Sequence, residues 1–159
     1  MRTRVDPRLL KHPVHLLSLG FGSGLAPKAP GTAGTLIAIP IYLLMVGLNP
    51  IAYLLVTLFL LYMGIHLCQA TARRLGVHDH PAIVWDEIVG YLLTMVAVPL
   101  DWIWIIAGFA LFRLFDVWKP WPISLLDRRV SGGIGIMLDD LLAAVYASIV
   151  LQLILYLTG

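Results

Sequence analysis

From Ala29 to Ala72 the chain contains no Asp, Glu, Lys or Arg. A run of that length leaves few ways to fold. In helices its backbone N–H and C=O groups satisfy one another without water, which is the condition a lipid environment imposes. Asn49-Pro50 divides the run into segments at about Ala33–Leu48 and Ile51–Ala70. The second is about 20 residues and reaches roughly 30 Å as a helix, the thickness of the hydrocarbon core. The first is short for a span and fits a tilted, re-entrant or partly buried helix. Further apolar stretches run from about Ala82 to Val98, closed by Pro99, from Trp102 to about Phe115, and from Ile134 to Thr158.

These segments predict an all-α, polytopic membrane helix bundle of four to five hydrophobic helices, built as one domain over residues 1–159. The composition agrees. Sixty per cent of residues are apolar and 13% are charged, against roughly 25% charged in soluble domains. A net charge of +2 without a basic stripe excludes a nucleic-acid partner. One cysteine, Cys68, excludes an internal disulfide framework and a cysteine-rich metal site. The basic N-terminus, Met1 to Lys11, invites comparison with a signal peptide, but the apolar Leu16–Phe21 that follows is too short. No internal repeat or long linker is visible, and nothing in the sequence sets an oligomeric state.

Five crossings with the N-terminus inside place residues 1–32, 71–81 and 113–133 on the inner side. All 11 Lys and Arg residues then fall there: Arg2, Arg4, Arg8, Lys11, Lys28, Arg73, Arg74, Arg113, Lys119, Arg128 and Arg129. The outer turns, Gly47–Pro50 and Pro99–Asp101, hold none, as the positive-inside rule requires. Trp102 and Trp104 would mark the outer interface and Trp85, Trp118 and Trp121 the inner one, or be core aromatics.

Of the nine acidic residues, Asp101 alone falls outside. Asp86, Glu87, Asp116, Asp139 and Asp140 lie within or at the ends of apolar helices, where an ionised carboxylate must be paired or face a cavity. Glu87 shares a helix side with Gly90 and Tyr91, and Asp140 heads a stripe of Ala143, Ala144 and Ala147, small enough for close helix approach. Two acid doublets brought together would repel unless a cation sat between them, and hard ions such as Mg²⁺ favour oxygen ligands. The competing account pairs them with Arg113, Lys119, Arg128 or Arg129. Arg113 and Asp116, at i,i+3, form either a simple ion pair or part of a phosphate site with Lys119. Gly20–Thr35 offers glycine amides, the Thr32 and Thr35 hydroxyls and Lys28 ahead of a helix, a pattern suited to an anion or to an ordinary turn. It is neither a Walker A loop nor a dinucleotide fingerprint. His78-Asp79-His80 precedes Pro81 and reads as a cap or surface loop; His66 reads as a packed, hydrogen-bonded residue.

Four segments, Gly20–Thr35 (GFGSGLAPKAPGTAGT), Val77–Gly90 (VHDHPAIVWDEIVG), Phe112–Ile123 (FRLFDVWKPWPI) and Gly132–Val145 (GGIGIMLDDLLAAV), resemble the bacterial phosphatidylglycerophosphatase A family in order and spacing. That resemblance implies Mg²⁺-dependent removal of the terminal phosphate from phosphatidylglycerophosphate, giving phosphatidylglycerol, at the cytoplasmic face of the bacterial inner membrane. Asp86, Glu87, Asp139 and Asp140 are then the expected metal ligands. Lys28, Thr32, Thr35, Arg113 and Lys119 are the expected phosphate ligands, and Asp116 a base, a ligand or a nucleophile. Cysteine, DxDx(T/V) and histidine phosphatase motifs are absent, as is the CDP-alcohol transferase series. The rival from another class is a small cation transporter, whose acids should sit at several depths rather than in one layer. Epitope tags at Asn49 and Lys119 should report opposite sides of the membrane in intact spheroplasts; the same side for both would refute the five-crossing topology.

Overall fold

A computed structural model describes residues 5–158; Arg2 and Arg4, counted above on the inner side, lie outside them. The described residues form α-helices and short 3-10 turns and no strand. Three helices begin with proline at their first turn, where the missing N–H and the preset φ are advantages: α1 (Pro13–Ser18), α2 (Pro30–Met45) and α3 (Pro50–Leu75). Asn49 caps α3 by accepting the Ala52 N–H at 2.9 Å, and Gly76, at φ 68°, ends it in the left-handed conformation. A central helix, α4 (Trp85–Thr94), is followed by α5 (Trp102–Trp118), capped by Asp101, then by short α6 (Ile123–Arg129) and by long α7 (Gly132–Thr158).

The third apolar stretch departs from expectation. Ala82–Val98 was to be a membrane span, but its helix is 10 residues long, about 15 Å. It is enclosed by α2, α3, α5 and α7, and most of its side chains are buried. Beyond Thr94 the backbone leaves the helix, with Ala97 at φ 57°, ahead of the Pro99 ring that disfavours helix in the residue before it. The carbonyls freed there are recaptured by side chains. Leu92 accepts from the Tyr53 hydroxyl at 2.8 Å, Val96 from the Gln152 amide at 3.0 Å and Val98 from the Tyr42 hydroxyl at 3.4 Å. Irregular backbone deep in an apolar bundle needs such substitutes.

Among the described residues, two helices are long and apolar enough to cross a bilayer on their own: α3 and α7, of 26 and 27 residues. Only 28% and 22% of their most apolar stretches are buried, so their apolar faces point outwards, unlike the core helix of a soluble protein. Helices α2 and α5, with 16 and 17 residues, reach about 25 Å. Both also expose apolar side chains, among them Leu44, Ile103 and Ile106. Two aromatic positions are settled as well. Of its two readings Trp85 takes the core one: it is buried, with its indole N–H donated to the Leu60 carbonyl at 3.1 Å. His66 is exposed on α3, its ring edge-on to Tyr62 at 5.0 Å, rather than packed inside.

Close helix approach is made possible at Gly90. A Cβ there would come within 2.6 Å of the Phe112 ring and 3.3 Å of the Asp140 carbonyl, so α4 could not lie so near α5 and α7. Gly90→Ala should therefore cost about 1–3 kcal/mol by overpacking, read as a lower melting temperature in detergent. Gly47→Ala, where a Cβ meets nothing, should stay within about 0.5 kcal/mol of wild type. Equal effects would contradict this packing.

Candidate active site

Five parts of the chain converge on one cavity of about 270 Å³. Asp86 and Glu87 enter from the first turn of α4, Asp139 and Asp140 from α7, and Arg113, Asp116 and Lys119 from the end of α5. Ala29, Pro30 and Gly31 bring the N-terminus of α2, with its unpaired N–H groups and positive dipole end. The loop before α4 adds Asp79.

Neighbouring positions on a helix point about 100° apart, and the two doublets use that difference unequally. Asp86, Glu87 and Asp140 turn together: one carboxylate oxygen from each lies within 4.8 Å of the others. Asp139 turns to Lys119 instead, accepting from its ammonium at 2.6 Å, while Asp127 of α6 accepts from the same ammonium at 3.1 Å. Lys119 itself sits at φ 46°, where the chain leaves α5. Burial opposes its charge, but the hydrogen bonds and charges of Asp139 and Asp127 outweigh that and hold the amine above its ordinary range. Arg113 is hydrogen-bonded to Asp116 one turn on and stands 3.8 Å from Glu87. Ion pairing and a shared cavity thus coexist, where the sequence had offered them as alternatives.

The pairs do not neutralise the site. Six carboxylates and two cations line the cavity. Asp86 Oδ1, Glu87 Oε2 and Asp140 Oδ2 are buried without a hydrogen-bond partner, as is Arg113 Nε. Buried charges in that condition are costly. Three convergent oxygen donors, each with an unused atom, fit a hard divalent cation such as Mg²⁺ or Mn²⁺. A phosphate entering among so many carboxylates would be repelled unless added positive charge balanced them.

Other predicted residues lie elsewhere. Lys28 is exposed and does not line the cavity, nor does Thr32. Thr35 is buried inside α2, its hydroxyl donated to the Gly31 carbonyl at 2.9 Å. What this segment presents to the cavity is backbone, at Ala29–Gly31. Gly31 has a steric reason to be glycine: a Cβ would stand 2.3 Å from Glu87 Oε1 and 3.0 Å from Arg113 Nη1. Asp79, which the sequence reads as part of a cap or surface loop, lines the cavity, and Gly31 is the glycine of the Gly20–Thr35 segment that reaches it. His78 and His80 anchor loops, accepting the N–H of Gly132 at 2.7 Å and of Ala82 at 3.1 Å.

The sequence profile of the family described as phosphatidylglycerophosphatase A matches residues 16–155. An Escherichia coli protein named phosphatidylglycerophosphatase A is 50% identical over 146 residues, covering 91% of this chain and 85% of its own. A Haemophilus influenzae protein of the same name is 48% identical over 149 residues, covering 92% and 91%. A Bacteroides thetaiotaomicron protein, provisionally named a phosphatidylinositol-3-phosphatase, is 39% identical over 152 residues, covering 91% and 94%. No solved structure matches the chain.

Crowding among Asp86, Glu87 and Asp140 has a thermodynamic signature. In chelator, Asp140→Asn should melt about 2–4 °C above wild type, because one of three like charges is gone. Added Mg²⁺ should raise the wild-type melting temperature and leave the variant's unchanged. A variant that melts lower in chelator would mean that the protein alone compensates the three acids.

Proposed function

The chain belongs to the phosphatidylglycerophosphatase A family and is a phosphatidylglycerophosphatase, and from that premise we propose that it hydrolyses the terminal phosphomonoester of phosphatidylglycerophosphate with the help of Mg²⁺ at the cytoplasmic surface of the bacterial inner membrane. The observation that carries the reading is the meeting of three carboxylates, each with an oxygen free of hydrogen bonds, with Arg113, Lys119 and the α2 N-terminus in one cavity.

Asp86, Glu87 and Asp140 would hold the cation, and Asp139 is assigned to Lys119 rather than to the metal. A bound divalent ion supplies charge neutralisation and a polarised water. Arg113, Lys119 and the N–H groups at the start of α2 bind the phosphoryl oxygens and stabilise the charge that spreads over them in the transition state. Asp116 acts through Arg113, holding the guanidinium toward the cavity. Water adds to phosphorus, the bond from phosphorus to the glycerol oxygen breaks, and the lipid alcohol leaves with a proton while inorganic phosphate remains.

Membrane placement follows the same logic. Helices α3 and α7 cross the bilayer, with α2, α5 and the broken α4 segment completing a multi-pass bundle. The positive-inside distribution supports a cytoplasmic site, at the depth where a lipid phosphate lies.

Purified protein should release phosphate from phosphatidylglycerophosphate with Mg²⁺ and stop with chelator. Asp86→Asn and Asp140→Asn should each lower kcat by about 10²–10³-fold. Gly31→Ala should lose activity with little change in melting temperature, since its Cβ displaces only the ends of Glu87 and Arg113. Release undiminished by chelator would overturn the metal assignment.

A further inference from the structure

A second cavity, about 780 Å³, adjoins the first, and Pro30 and Pro81 line both. Its walls are largely apolar, including Pro7, Leu25, Ala26, Pro27 and Ala82. The polar groups Asp6 and His80 are already engaged, with the backbone N–H of Arg8 and of Ala82. Lys28 stands between the two cavities in the chain: Pro27 lines the second and Ala29 the first. It is exposed and has no carboxylate within ion-pair distance among the described residues.

The first cavity, at about 270 Å³, is below the size of pockets that enclose a whole small ligand, about 300–1,000 Å³; the second falls within that range. A lipid phosphomonoester with its phosphate among Arg113 and Lys119 must extend out of the first cavity. Across Pro30 and Pro81 lies an apolar space, and Lys28 is joined in the chain to Pro27 of its wall and to Ala29 of the first cavity. The lipid of the proposed function carries a diester phosphate one glycerol away from the terminal one.

We propose that the second cavity holds the glycerol backbone and first acyl carbons of the lipid substrate, with Lys28, between the two cavities in the chain, contacting its diester phosphate. This assignment rests on the proposed lipid phosphatase reading. It gives Lys28 a task distinct from the terminal phosphate, which its absence from the first cavity makes unsuitable for it. Tail recognition and phosphate recognition are then separable, each with its own residues.

The test compares KM for phosphatidylglycerophosphate in mixed micelles with Ki for inorganic phosphate, which probes the first cavity alone. Ala26→Trp, which fills the second cavity, should raise KM at least about tenfold, and Lys28→Gln roughly tenfold by loss of a charge-assisted contact. In both, Ki for phosphate should stay within about twofold of wild type. An unchanged KM, or KM and Ki rising together, would overturn the assignment and leave the cavity to the N-terminal residues or to a second copy. If Ala26→Trp does not fold, Lys28→Gln at its exposed position still decides. A wild-type protein that releases no phosphate would instead refute the underlying function.

Discussion

Asp86, Glu87 and Asp140 each bring one carboxylate oxygen within 4.8 Å of the others, each has an oxygen without a hydrogen-bond partner, and the packing of the bundle depends on that meeting. Helix α4 is enclosed on its sides by α2, α3, α5 and α7, so Asp86 and Glu87 face the cavity at its N-terminal end. Gly90 lets α4 lie against α5 and the Asp140 backbone, and Gly31 lets the start of α2 close over Glu87 and Arg113. Ionising all three acids together is therefore costly unless a cation sits between them. Arg113 and Lys119 relieve part of it, through Asp116 and Glu87 on one side and Asp139 and Asp127 on the other.

The break after α4 serves the same end. A full-length helix in that position would carry its ladder of hydrogen bonds across the bundle. Here the chain turns early, and Tyr42, Tyr53 and Gln152 take over the carbonyls. The short, enclosed helix has its N-terminus in the site and its C-terminus tied to three neighbours. Ala143, Ala144 and Ala147 on α7 are fully buried and allow the close approach that places Asp140 opposite Glu87.

Much of this is visible in the sequence for a single physical reason. Lipid penalises charge at every depth but the surface, so the acids and bases of an apolar chain are sorted to helix ends before any packing is known. The alanine stripe below Asp140 marks its inward side in the same way. Other features depend on contacts distant in sequence. The Lys119 link to Asp139 spans a turn and a short helix, so the two doublets look equivalent until the backbone is placed. After Asp86 and Glu87, residues Ile88–Val98 carry no charge, and hydropathy does not separate a helix from a turn whose carbonyls are captured by Tyr42 and Gln152. Thr35 resembles a phosphate ligand in sequence because it follows a glycine-rich loop, but the helix begins at Pro30 and turns its hydroxyl back onto Gly31.

The central claim is that the three carboxylates hold a cation beside the phosphate-binding cations. Mn²⁺ makes it directly observable, because it replaces Mg²⁺ among oxygen ligands and is paramagnetic. Phosphorus relaxation of inorganic phosphate should be measured with the protein and Mn²⁺. The account predicts strong enhancement with wild type, abolished by Asp140→Asn. Enhancement that survives Asp140→Asn, or none with wild type at saturating phosphate, would contradict it.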